Sequence, residues 1–139
     1  MAKSQSPQLD LRALALSPLA GFRHESIKVD EWKGATVTIR EPSAGDWTTW
    51  QSKLAAITGE EVTQDNVGEL ESGIDGNDRT LEATLFVRVL YDADGKRVFS
   101  DEDVADVAAI YGPVHERLLR KAMELAGLTE TPLEQAEKN

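Results

Sequence analysis

The chain has 139 residues, the size of one ordinary domain, and carries 25 Asp/Glu against 15 Lys/Arg for a net charge of -10. That balance excludes a phosphate-backbone binder, which needs a basic face to displace counterions, and argues against an anionic membrane surface. With no cysteine, disulfides, a thiolate nucleophile and a cysteine-ligated metal are excluded as well, while a 40% hydrophobic composition suffices for a modest core.

The opening stretch "MAKSQSPQLDLRALALSPLAGF" is interrupted by Asp10, Arg12, Ser17 and Pro18, so it does not read as a signal peptide. Nor does any apolar run approach the ~20 residues that span a bilayer. Leu11, Leu14 and Ala15 share helical spacing and Pro18 stops a helix there, so residues 1–24 read as a partly flexible arm. In "SIKVDEWKGATVTIRE", Ile27 and Val29 alternate with Lys28 and Asp30, and Val37 and Ile39 with Thr36, Thr38 and Arg40. Lys33-Gly34 lies between the two runs, which predicts a β-hairpin with Trp32 as a structural side chain. A lone hairpin is marginal in water, so its apolar residues are expected to pack on the helix that follows.

That helix starts after Ser43, an N-cap with Asp46 three residues on as a variant capping box. Trp47, Trp50, Leu54 and Ile57 form one stripe along it, read as core rather than as a cofactor site, and Gly59 is a plausible stop. From Leu54 to Asp78 the chain holds seven acids, four glycines and no Lys or Arg. This acidic loop, near 59–78, reads either as a solvated linker or as an acidic docking surface, with Glu60, Glu61, Glu69 and Glu71 as candidate partner-binding residues. A short helix around Val67 and Leu70 fits inside it. "DRTLEATLFVRVLYD" from Asp78 reads as one helix with Leu81, Leu85 and Val89 inward.

"YDADGKRVFSDEDV" then crowds acids around Gly95, which raises the question of a calcium loop. With Asp92 in the first ligand position, Lys96 falls on a ligand position and Arg97 on the obligatory glycine; with Gly95 on the glycine, Leu90 falls on the first ligand. Both registers fail. The acids are better read as a turn ending in Gly95, an inward Phe99, and Ser100 capping a helix whose first turn holds Asp101, Glu102 and Asp103. Gly112-Pro113 breaks that helix and starts the last one, which carries Val114, Leu118, Ala122 and Leu125 inward and ends at Gly127. His24 and His115 have no metal-spaced partner, and Arg117, Arg120 and Lys121 read as a solvated basic face. No nucleotide-binding or nucleophile motif occurs, so no catalytic residue, metal or cofactor is assigned. The predicted architecture is α+β, mainly α: an N-terminal β-hairpin packed on a small bundle of three to four helices spanning 25–128, with a flexible tail over 129–139.

Three features in this order resemble the tail assembly chaperones of long-tailed, siphovirus-like bacteriophages. They are Glu31, Trp32, Gly34, Arg40 and Glu41 in and after the hairpin, the acidic-glycine turn and acid-rich helix start over Asp92–Asp103, and Leu125-Ala126-Gly127-Leu128 at the last helix stop. The resemblance spans residues 25–130 and leaves the acidic middle out. It implies a non-enzymatic protein of the host cytoplasm that binds the phage tape measure protein, keeps it soluble and extended for tube polymerisation, and is absent from the virion. It also implies a longer frameshifted form that recruits tail tube protein, and it leaves self-association open. Glu137-Lys138-Asn139 is compatible with a slippery codon run. The alternative is a structural tail or head-completion protein retained in the virion.

Overall fold

The computed structural model describes residues 10–128. Alternation with period two sets its first two strands, β1 (His24–Val29) and β2 (Ala35–Arg40), which pair antiparallel with Ile27 opposite Val37. A 3-10 turn at Asp30–Trp32 reverses the chain, followed by Lys33 and Gly34 at φ 59° and 74°. Gly34 then donates its N–H to the Val29 carbonyl at 3.0 Å.

A third strand corrects the sequence reading. The helix expected to run to Tyr91 ends at Val89, and Leu90–Asp92 form β3 on the free edge of β2, with Leu90 opposite Ile39 and Asp92 opposite Val37. The sheet order is β1-β2-β3. An unpaired edge on β2 would leave backbone polar groups without partners in a dry interior, and β3 supplies them. An apolar run such as "LFVRVLY" does not reveal by periodicity where helix gives way to strand. The added strand makes β2 central. Val37 and Ile39 on one face and Thr38 and Arg40 on the other are all buried.

Helix α1 (Leu11–Leu16) is capped by Asp10 and leaves its leucines exposed. The N-cap and glycine signals read from sequence hold in α2 (Ala44–Thr58), which has the Ser43–Asp46 capping box and stops at Gly59 with φ 75°. Helix α3 (Val67–Ser72) is short. Helix α4 (Thr80–Val89) is buried from Leu81 to Val87 and again at Val89, and is enclosed by α2, α5 (Val104–Ala109) and α6 (Pro113–Leu125). Ser100 caps a 3-10 turn, Asp101–Asp103, that feeds α5. After α6, Gly127 at φ 85° lets Leu128 N–H reach back to the Met123 carbonyl, a Schellman-type stop.

One core joins Val29 and Ile39 of the sheet to Trp50 and Leu54 of α2, Leu85 and Phe86 of α4, and Leu118, Leu119 and Met123 of α6. The sheet's main helical neighbour is α6, not the tryptophan helix expected from sequence. The reason is competition for apolar surface: α2 lays its stripe on α4, and α6 offers the sheet both an apolar face and cations for its acids. In the stripe itself Trp50 and Leu54 are buried, Trp47 is half-buried and edge-on to Trp50 at 6.0 Å, and Ile57 emerges at 38% exposure. The expectations placed on residues 1–9 and 129–139, including the slip at Glu137–Asn139, lie outside the described residues.

Candidate functional site

Asp46, read from sequence as a cap residue, is the hub of a buried charge network. Its Oδ2 accepts from Arg40 Nη2 at 2.6 Å and from the Ser43 N–H at 2.8 Å, and its Oδ1 accepts from Arg88 Nε at 2.7 Å. Arg40 also donates to the Pro18 and Glu41 carbonyls and stacks over the Phe22 ring at 4.4 Å. Arg88 continues to Asp101, which Arg97 engages too, while Arg97 donates to the Val87 carbonyl. Burial alone would lower the Arg88 pKa, but its hydrogen bonds and charge contacts with Asp46 and Asp101 leave it raised. The network ties β2, the α2 N-terminus, α4 and the α5 entry together. Such a fully paired arrangement orients elements and leaves nothing free for a ligand.

The acidic turn is absorbed in the same way. Asp92 Oδ1 accepts from the Asp94 and Lys96 N–H groups, and Asp103 accepts from the Ser100 N–H. Gly95 supplies the left-handed residue at φ 84°, and half-buried Phe99 leans on Phe86 at 6.2 Å. Among the described residues no group of three His, Cys, Asp or Glu side chains is arranged to hold a metal.

The basic face expected on α6 is neutralised by neighbouring acids. Arg117 forms a two-pronged pair with Glu31 at 2.8 and 2.9 Å, and its hydrogen bonds hold the Glu31 carboxyl down to about 2. Lys121 lies 3.2 Å from Glu124 and 3.8 Å from Glu25. His115 has a role that sequence reading missed. Its Nδ1 accepts the Gly112 N–H, capping α6, amid the rings of Trp32, Phe86 and Tyr111. Burial lowers its pKa, which keeps the acceptor nitrogen unprotonated.

The acidic segment differs from all of these. It carries local hydrogen bonds: Asn66 ties Thr63 and Glu61, Asp75 accepts from Asn77 N–H, and Asp78 accepts from Thr80 N–H. It is attached through Val62, Val67, Leu70 and Ile74, which pack against the core cluster. Two grooves flank α3. One, of about 480 Å³, lies between the end of α2 and α3 and brings Glu60 and Glu69 together over Ile57, Leu70 and Ile74. The other, of about 590 Å³, is bordered by Glu69 and Glu71. Glu61 lines neither.

Glu71 turns inward. Its Oε2 is buried with no hydrogen-bond partner among the described residues, and burial, together with the nearby Glu82 charge, raises its pKa to about 7. Glu82 is itself buried beside Arg79 at 3.7 Å, and burial raises its pKa. Of the four acids proposed for partner binding, Glu60, Glu61 and Glu69 are on the surface and Glu71 is at the seam with α4. The signal for this was present: Glu71 stands at helical spacing from Val67 and Ile74, on the buried side of the segment.

Comparison with known proteins agrees on one group. A family model described as phage tail assembly chaperone matches residues 10–139. The solved tail assembly chaperone of bacteriophage HK97 is similar at 36% identity and a TM-score of 0.60, over 84% of this chain and 96% of that one. No curated protein matches.

Proposed function

Since the chain belongs to the family of phage tail assembly chaperones, we propose that its client is the tape measure protein. In the host cytoplasm it holds that protein soluble and extended while tube subunits polymerise around it, and it leaves before the virion is complete. The observation that carries the reading is the family match across residues 10–139, joined by likeness to the HK97 chaperone over nearly all of that protein. The site supports it in kind. Holding charge in paired networks, and presenting acids that meet no cation among the described residues beside apolar grooves, suits a reversible protein-binding surface better than catalysis. A longer product made by ribosomal slippage near Glu137–Asn139, recruiting tube protein, belongs to the same proposal.

The test is co-expression of the phage's tape measure protein with and without this chain, reading the soluble fraction. The expected outcome is a soluble complex that dissociates on tube assembly, and mature virions in which mass spectrometry finds no peptide of this chain. A tape measure protein equally insoluble in both cultures would overturn the reading. Peptides of this chain in purified virions would favour a retained structural component instead.

A further inference from the structure

We infer that the groove between the end of α2 and α3, floored by Ile57, Leu70 and Ile74 and rimmed by Glu60, Glu69 and Asp75, receives a lysine- or arginine-bearing amphipathic helix of the client. The inference rests on the client-binding reading and gives it a place and a chemistry. The apolar stripe of α2 is the first observation. Trp50 and Leu54 carry it into the core, and Ile57, the next residue on the stripe, faces the groove at 38% exposure. The groove's volume, about 480 Å³, is in the range that seats a few anchoring side chains.

Charge selects the occupant. Among the described residues no ion pair engages Glu60, Glu69, Asp75 or Asp78, and Asp75 and Asp78 only accept from the backbone N–H groups of Asn77 and Thr80. The cations nearest in the chain are Lys53, one turn before Ile57, and Arg79, which is held by Glu82. The rim therefore keeps its negative field, whereas the acids around α6 and the Asp46 hub have theirs cancelled. A cationic partner is steered in and an acidic one repelled. The geometry selects a helix. The groove is lined by the ends of α2 and α3 and the turns that follow them, and none of its lining residues belongs to a strand. It therefore offers no strand edge for an extended peptide, and recognition falls to side-chain anchors at helical spacing. A second copy of this chain, with its own large negative charge, is the poorer fit.

The experiment uses the full chain and a synthetic amphipathic helical peptide with a leucine face flanked by lysines, beside a twin with glutamates in place of the lysines. Binding is followed by fluorescence anisotropy. The lysine peptide should bind saturably and the glutamate twin about ten-fold or more weakly. Ile57→Lys and Glu69→Lys should each weaken the lysine peptide about ten-fold, while Glu61→Lys, an exposed acid outside the groove, changes it less than about two-fold.

Equal binding of the two peptides, or equal weakening by Glu61→Lys, would overturn the groove. So would sedimentation showing a dimer that Ile57→Lys dissolves, since a second copy would then be the occupant. Co-expression with the tape measure protein separates the two levels of the argument. If the parent chain keeps the client soluble and Ile57→Lys does so equally well, the groove assignment fails alone. If the parent does not, the client reading fails first.

Discussion

Asp46 is 3% exposed and is met by two arginines and its own helix cap. Glu69, on α3, is exposed and meets no cation among the described residues. The Asp46 hub spends its charge on holding β2, α2, α4 and the α5 entry in one geometry, through contacts between residues far apart in the chain. The segment over 59–78 forms local hydrogen bonds at Thr63, Asn66, Asp75 and Asp78 and leans on the core through Val62, Val67, Leu70 and Ile74. The difference teaches where a small acidic domain fixes its shape and where it keeps charge available to others.

The largest effect should come from the hub. Asp46→Ala leaves Arg40, itself buried, without its carboxylate and removes the acceptor of the Ser43 N–H, one half of the α2 capping box. Breaking a buried pair by removing one partner costs about 3–5 kcal/mol. Chemical denaturation is expected to show a loss in that range, and a loss below about 1 kcal/mol would mean that the network is ornamental and the contrast false.

Leu70→Ala probes the other region. Leu70 is the most buried side chain of α3, and its truncation should cost about 2–3 kcal/mol. Because the segment is joined to the core chiefly by its apolar side chains among the described residues, the cost should appear locally. Hydrogen exchange is expected to speed across 60–78 while the amides of α4 keep the parent's rates. Acceleration in α4 of the same size would place both regions in one cooperative unit.

Glu71 sharpens the boundary between them, because it is the acid of the segment that faces α4. Burial raises its folded pKa to about 7, above the ordinary value of 4.5. The folded state therefore holds a proton that the unfolded state gives up. This residue carries no penalty below the unfolded value, stability declines as pH rises from 4.5 toward 7, and the full penalty stands above that. Allowing for partial solvent screening, Glu71→Gln should stabilise the protein by about 1–2 kcal/mol at pH 8, and raise its Tm by about 3–6 °C. At pH 4 parent and variant should melt together. A variant less stable than the parent at pH 8 would show that the carboxylate has a stabilising partner there.

Local signals made much of this legible in advance. Ser43, Ser100, Gly59, Gly95 and Gly127 do what their neighbours in sequence require of them, and the hairpin follows from alternation around Lys33-Gly34. What was hidden needed partners distant in the chain. Arg88 reaches Asp46 across 42 positions, and Arg117 reaches Glu31 across 86, pairings that no spacing rule announces. β3 is three residues inside an apolar run, too short to show a period. His115 as a cap hid behind an uncommon residue type at that position. For the candidate groove, the absence of cations from 54 to 78 was plain in the sequence. That Ile57, Leu70 and Ile74 floor it was not, because it depends on how α3 folds back on α2.

The smallest effect on stability should come from the rim that the groove inference depends on. Glu60→Gln, Glu69→Gln and Asp75→Asn together remove three charges from a stretch with none of the opposite sign, and Asp75→Asn keeps an oxygen to accept the Asn77 N–H. No packed atom or ion pair among the described residues is lost, so the Tm should stay near the parent's, with a free-energy change within about 0.5 kcal/mol. The sign should be stabilising at low salt, since like charges are being taken apart, and the gain should fade as the Debye length shrinks to about 8 Å near 0.15 M salt. The hub behaves oppositely, because removing one charge there strands its partners. A triple variant that loses several kcal/mol would mean that these acids hold the fold after all. The surface that looks free for a client would then be structural, and the distinction between a charge network that shapes the protein and a charged groove that meets another would dissolve.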